Sequence, residues 1–347
     1  MKLKLLNHYS PLDNHGLEDL AHFTIDTDKI NTALIEDDTR DDQEIPSFIA
    51  TKYSGDFTDI RIRYIKSEFS LKHVGSLKQV ALIDCTISYE CLNFLPDTLL
   101  ALTLTDILFE ASEVCEIKLP IHLIRLSANP LGCVSDIVNP DQLGELSYFG
   151  TRLVPMRAYT HDTERKENII FQLKKFLHEL PALKYFRLAI RGMDTKQIIE
   201  RLSLNTLDSL VGLSVHPVPK YGNDFPISCL PPTCHALELK RFITLSGQFP
   251  ETLNKLRISL SEYTKSFEYF WDRFITPLNN LYFLNIIIPG RIHTIDFSYL
   301  QFPDRLHTLE LETGDAGSRL FLNELPPSII CVSLRCMSND SYSLAYS

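Results

Sequence analysis

The stretch LPDTLLALTL, residues 95–104, sets Leu99, Leu102 and Leu104 in the order apolar-x-x-apolar-x-apolar, directly after a Leu95-Pro96 pair. Side chains alternate across a strand, so Leu102 and Leu104 point to one face, and Leu99 sits where the chain bends into the strand. Proline fixes φ and offers no N–H, so Pro96 ends the preceding segment without spoiling a hydrogen-bond ladder. The same phrase returns as FPETLNKLRI (249–258), FPDRLHTLEL (302–311) and LPPSIICVSL (325–334).

Outward from these four copies, the apolar triplet continues through most of the chain. It reads Phe57/Ile60/Ile62, Leu77/Val80/Leu82, Leu99/Leu102/Leu104, Ile121/Ile124/Leu126, Leu143/Leu146/Tyr148 and Leu183/Phe186/Leu188. It goes on as Leu210/Leu213/Val215, Cys234/Leu237/Leu239, Leu253/Leu256/Ile258, Leu281/Leu284/Ile286, Leu306/Leu309/Leu311 and Ile329/Val332/Leu334. All 36 positions of these twelve units are apolar in a chain that is 44% hydrophobic, so the pattern is not chance. Leu20/Phe23/Ile25 is a candidate thirteenth unit. One such strand cannot bury its face alone. Units stacked in parallel bury a continuous core, each strand pairing with its neighbours. The spacing predicts about twelve parallel strands in an α/β solenoid, a curved horseshoe with the strands on its concave side. Prolines at Leu119-Pro120, Leu180-Pro181 and Pro231-Pro232 mark further strand starts, with extended or 3₁₀ backbone on the convex side.

Three stretches carry helical periodicity instead. His161–Leu180 has a stripe of Ile169, Ile170, Leu173, Phe176, Leu177 and Leu180, and accounts for a 40-residue gap between units. Asp194–Leu207 offers Asp194 as N-cap and Ile198, Ile199 and Leu202 as a buried face. Ser266–Ile275 places Phe267, Phe270, Trp271, Phe274 and Ile275 on one face, the composition of convex-side core.

These units resemble the leucine-rich-repeat family, in its L-P-x-x-L-x-x-L-x-L form, and are similar to repeats of fungal proteins, FNIP-type proteins and bacterial effectors. The resemblance covers roughly residues 57–336, within a single repeat domain over 1–347. Residues 1–56 read as an N-terminal cap or degenerate repeats, and 337–347 as a tail. The position that holds Asn or Cys in the family is Cys85 and Asn129 in two units but Ile107, Thr151, Arg191, Val218 and Phe242 elsewhere, so the asparagine ladder is incomplete. The resemblance implies binding, and the family binds many kinds of partner.

Composition narrows the function. A length of 347 residues exceeds what one compact core takes, which calls for two domains or a repeat array. No apolar run suits a membrane span and the N-terminus has no secretory signal, so a cytoplasmic or nuclear protein is expected. The eight cysteines are sparse and form no CxxC pair, as in a reduced compartment. The net charge of −10 argues against a nucleic-acid partner. Nucleotide-binding, metallopeptidase, hydrolase and EF-hand motifs are all missing, so no catalytic residue, metal or cofactor is expected and the chain reads as a non-enzyme. Glu36-Asp37-Asp38 with Asp41-Asp42 reads as a solvated loop.

Function is therefore read from the concave face. Its slots hold eleven basic side chains, Arg61, Arg63, Lys78, Arg125, Lys184, Arg187, Lys240, Arg241, Lys255, Arg257 and Arg335. Seven acids accompany them, Asp59, Asp84, Asp106, Glu145, Glu238, Glu310 and Glu312, so the face is +4 in a chain of −10. Tyr185, Tyr282 and Phe283 lie within or beside the most basic stretch, and arginine with aromatics is the composition of binding hot spots. The expected site is Arg125, Lys184, Tyr185, Arg187, Lys240, Arg241, Lys255, Arg257, Tyr282 and Phe283, holding an acidic or phosphorylated segment of another protein. The chain is expected to act as a monomeric scaffold or adaptor. The substrate-recognition part of a ubiquitin ligase is the alternative, although residues 1–56 lack a three-helix pattern, and a nucleic-acid-associated repeat protein is the weaker one. Both ends of the repeat tract look barely capped, which fits a fragment of a longer chain.

Overall fold

The structure is a computed structural model. It describes residues 2–6, 32–36, 59–63, 71, 77–109, 117–129, 140–153, 163–218, 224–242, 244–260, 267–288, 294–313, 319–321 and 325–336. The described residues fall into two compact units that divide between Leu188 and Ala189. Each of the twelve expected repeats supplies one strand, and the fold is a leucine-rich-repeat solenoid of the α/β class.

The first unit opens with β1 (Lys2–Leu6), antiparallel to β2 (Thr32–Glu36). From β2 the ladder runs parallel through β3 (Asp59–Arg63), β4 (Gln79–Ile83), β6 (Ala101–Thr105), β8 (Arg125–Asn129) and β9 (Tyr148–Leu153). A short parallel pair, β5 (Thr86–Ile87) with β7 (Leu108–Phe109), forms beyond β4 and β6. Asp84 and Asp106 make the turn into that pair with φ of 52° each, a left-handed conformation that aspartate tolerates. Their N–H groups donate to Thr105 O and Asn129 O of the next repeat. A one-turn helix, α1 (Glu90–Asn93), follows β5.

α2 (Thr163–Glu179) supplies the long insertion before β10 (Tyr185–Arg191). Its Phe176 ring lies 5.0 Å from Phe149, and Phe149 stacks on Phe186 at 6.0 Å. The helix thus sets Phe176 against β9, whose Phe149 stacks in turn on Phe186 of β10, where shorter repeats use a turn.

The second unit runs parallel through β11 (Gly212–Val218), β13 (Ala236–Phe242), β15 (Lys255–Leu260), β16 (Phe283–Ile288), β18 (Thr308–Thr313) and β20 (Cys331–Cys336). Two short parallel pairs recur here, β12 (Asp224–Pro226) with β14 (Thr244–Ser246) and β17 (Thr294–Asp296) with β19 (Arg319–Phe321). α3 (Thr195–Leu202) is capped by Asp194, whose carboxylate accepts from Gln197 N at 3.0 Å, and buries Ile198, Ile199 and Leu202. α4 begins as Phe267–Phe270 and widens into a π-helical turn over Trp271–Ile275. Trp271 is fully buried against Phe267, Phe297 and Phe302, and its indole N–H donates to Gln301 O at 2.8 Å. The aromatic stripe is core.

Proline contributes its carbonyl as well as its fixed φ. Pro96 O, Pro120 O, Pro231 O, Pro250 O, Pro303 O and Pro326 O each accept from the N–H three residues on, at 3.0–3.1 Å, closing a turn just before the strand. Leu207 and Leu278 close the same turn without proline, so proline favours the turn but is not required for it. A second device ties neighbouring repeats. The hydroxyls of Thr98, Thr233 and Thr252 donate at 2.9–3.0 Å to the carbonyls of Leu77, Leu210 and Cys234, the first apolar position of the repeat before.

Two repeats lie in a different register from the one read in the sequence. Leu102 pairs with Leu126 and Leu104 with Ala128, so the fourth triplet is Leu123/Leu126/Ala128 and Ile121 is 62% exposed. Leu126 pairs with Phe149 and Ala128 with Thr151, so the fifth is Leu146/Phe149/Thr151. The polar Thr151 is tolerated inside because its hydroxyl donates to Ala128 O at 2.7 Å. The candidate thirteenth unit at Leu20 falls outside the described residues, and the strand before β3 is β2.

Candidate partner-binding face

Each strand presents three successive outward positions, and the ladders align them in rows. In the first unit the rows are Asp59, Gln79, Ala101, Arg125, Tyr148; then Arg61, Ala81, Thr103, Ser127, Gly150; then Arg63, Ile83, Thr105, Asn129. In the second they are Ala236, Lys255, Phe283, Thr308, Cys331; then Ser214, Glu238, Arg257, Asn285, Glu310, Ser333; with Ile287, Glu312 and Arg335 beyond. Asp84 and Asp106, counted as acids of this face in the sequence, belong to turns, and Phe149 is core.

The middle row is not the most open one. Ala81, Ser214, Glu238 and Asn285 are at most 1% exposed and Arg61 6%. In the first unit Asp59 and Arg61 are both buried. Burial pushes the Asp59 carboxyl up, and the Arg61 charge pulls it partly back. Arg125 lies over the Tyr148 ring at 5.0 Å, so both are on this face but half-buried or deeper. On β10 Phe186 and Leu188 are fully buried, while Tyr185 and Arg187 are half-exposed and Lys184 is exposed. Burial of the Tyr185 phenol raises its pKa.

The second unit holds a polar network that charge counting along the sequence misses. Glu238, fully buried, takes a hydrogen bond from Ser214 Oγ at 2.6 Å, with His216 Nε2 at 3.1 Å, Lys240 Nζ at 3.3 Å and Arg257 Nε at 3.8 Å. Burial alone would raise its pKa. The hydrogen bond and charge of His216, the charge of Lys240 and the bond from Ser214 outweigh that and hold it at about 2. Arg257 also reaches Glu312 at 3.3 Å, and Asn285 Nδ2 donates to Glu310 and Glu312 at 2.8 Å each. Lys240 and Arg257 are thus held by acids of their own chain. The signal was in the sequence, since Ser214, His216, Glu238, Asn285 and Glu312 all occupy outward slots. Their convergence depends on strand register.

Ser214, His216 and Glu238 are nucleophile, base and acid in residue type, but not in arrangement. A catalytic base is oriented through its second ring nitrogen. Here serine and glutamate both meet His216 Nε2, at 2.8 and 3.1 Å, and Ser214 is fully buried. Among the described residues no group of His, Cys, Asp or Glu is placed to hold a metal ion, and no helix is long and apolar enough to cross a membrane.

The other expected residues are dispersed. Lys255 and Phe283 sit side by side in cross-strand register, both half-exposed, and burial lowers the Lys255 pKa. Tyr282 precedes β16 and stacks on His307 at 4.5 Å. The Arg241 side chain lies outside the described residues.

No protein-family profile and no curated protein matches the chain. Among solved structures it is similar to TLR13 in its complex with ssRNA13, at 14% identity and a TM-score of 0.39, over 81% of this chain and 56% of that one. It is also similar to CroV588, a circular LRR protein, at 14% identity and a TM-score of 0.40, over 88% of this chain and 50% of that one. The chain spans about half the length of these structures.

Proposed function

We propose that this leucine-rich-repeat chain is a non-enzymatic scaffold or adaptor that holds an acidic or phosphorylated segment of a partner protein on the outward face of its strands. The observation that carries the reading is the layout of β10. Alternate residues Phe186 and Leu188 fill the core, and on the outward side Lys184 is exposed while Tyr185 and Arg187 are half-exposed. An arginine and a lysine beside a tyrosine supply charge-assisted hydrogen bonds and rigid contact area at low entropic cost. Lys255 with Phe283 repeats that chemistry on β15 and β16. Lys240 and Arg257 contribute less to attracting an acid, because Glu238 and Glu312 already neutralise them.

The test is charge reversal where the fold tolerates it. Lys184→Glu with Arg187→Glu is compared with wild type in quantitative affinity capture from native extract, and Lys196→Glu on the exposed side of α3 serves as control. The reading expects proteins captured by wild type and control to fall at least about tenfold with the double variant, with little change in melting temperature. Undiminished capture by a folded double variant contradicts it.

A further inference from the structure

The polar network of the second unit holds three carboxylates. Glu238 and Glu312 are buried, and each is paired, Glu238 with Lys240 and Glu312 with Arg257. Glu310 differs on both counts. It is half-exposed, and no lysine or arginine among the described residues pairs with it. Its register partner on β20, Ser333, brings no charge, and Arg335 is in register with Glu312 instead. Asn285 orders the site from the neighbouring strand. Its Nδ2 donates to Glu310 and to Glu312 at 2.8 Å each, which sets the orientation of the amide. Asn285 is 1% exposed, and its Oδ1 accepts no hydrogen bond. A buried acceptor left over in this way is costly unless a donor reaches it. Oδ1 is bonded to the same carbon as Nδ2, so it lies within about 5 Å of both carboxylates. The cluster is thus a set of acceptors short of a donor, open to solvent at Glu310.

We propose that Glu310 with Asn285 takes a lysine or arginine of the bound partner, so that the segment on the outward face carries a base as well as an acid. This rests on the scaffold reading above and adds to the partner's chemistry. Lysine and arginine carry several donors and no acceptor, which is what the cluster lacks. A cation there also gains a charge-assisted hydrogen bond to Glu310. The register sets the spacing of the two charges. Lys255 is in register with Phe283 and Thr308, and Glu310 lies two residues past Thr308. Two strand separations and two residue rises put Lys255 and Glu310 about 12 Å apart along the sheet. An extended segment covers that distance in about three to four residues. The path between them crosses β16 between Phe283 and Asn285, so an apolar residue between the two charges meets the half-exposed Phe283 ring.

Random peptides of about twelve residues, long enough for both charges, are displayed on phage and selected on the immobilised full chain. Wild type, Lys255→Gln and Glu310→Gln are run in parallel. The wild-type pool is expected to be enriched in peptides with Asp or Glu three or four residues from Lys or Arg. On Glu310→Gln the acid should persist and the base disappear, and on Lys255→Gln the reverse. A synthetic copy of the leading peptide and one with its base replaced by glutamine are then titrated on wild type by calorimetry, a comparison that needs no variant of the chain. The replacement should weaken binding at least about tenfold, the size of one charge-assisted hydrogen bond. An acidic wild-type pool without the spaced base overturns this inference and leaves the scaffold reading standing. So does a Glu310→Gln pool that keeps the base, or equal affinity of the two synthetic peptides. A wild-type pool with no acid enriched overturns the scaffold reading, and this inference with it.

Discussion

Glu238 shows how much one side chain organises. It is a buried carboxylate on the outward face, kept ionised by Ser214, His216, Lys240 and Arg257. A carboxyl held at about 2 in the folded chain binds protons less readily there than when unfolded, at 4.5. Its contribution is therefore complete above pH 4.5 and is lost as pH falls toward 2. Glu238→Gln is expected to destabilise the chain at pH 7 by on the order of 2–3 kcal/mol. The gap to wild type should narrow as pH drops from 5 to 2, as read by denaturant unfolding at each pH. A gap independent of pH would mean that the carboxylate charge does not matter. The same network explains why Arg257→Glu is a poor probe of binding. It would set a third carboxylate beside Glu238 and Glu312 and disturb the fold first.

At the scale of elements, the repeat was legible and its phase was not always so. The apolar triplet, with a preceding proline in some repeats, located all twelve strands, and the 3.6-residue stripe located α2. Phase slipped where a repeat offers more apolar residues than it needs. Ile121 and Ile124 imitate the triplet beside Leu123 and Leu126, and Leu143, Leu146, Tyr148 and Phe149 allow two readings. The turn decides. Pro120 O accepts from Leu123 N, which starts the triplet at Leu123. In the fifth repeat two turns follow in succession, Pro140 to Leu143 and Leu143 to Leu146, and the second sets the phase. Thr151 at a core position cannot be foreseen from hydropathy, since it depends on Ala128 O. Leu126 is fully buried between Leu102 and Phe149 in the ladder. Leu126→Ala should cost about 2–5 kcal/mol. Because repeats are coupled mainly through neighbours, the damage should be local. Amide exchange is expected to quicken first in β6, β8 and β9, and uniform quickening along the chain would contradict neighbour coupling.

At the scale of the molecule, the outward slots of the strands were legible in the sequence and their relief was not. Every outward slot was weighted alike there, but exposure varies within each row: Asp59, Gln79, Ala81, Tyr148, Ser214, Glu238 and Asn285 are buried, while Thr103, Ser127, Lys255, Phe283 and Glu310 are half-exposed. Lys240 and Arg257 were also counted there as free charge, although Glu238 lies two residues before Lys240 on β13 and beside Arg257 across β13 and β15, and Glu312 reaches Arg257 from β18. Lys184 just before β10, Tyr185 and Arg187 on it, and Lys255 and Phe283 on β15 and β16 are at least half-exposed. The recognition proposed for these groups is electrostatic, so partner binding should weaken as salt rises, mainly through a slower on-rate. The most direct measurement is a hydrogen-exchange footprint of the chain with the partner recovered by affinity capture. Slowed exchange in Tyr185–Arg191, with α2, α3 and the short strand pairs unchanged, is the predicted result. Protection confined to those helices and short pairs would contradict the account.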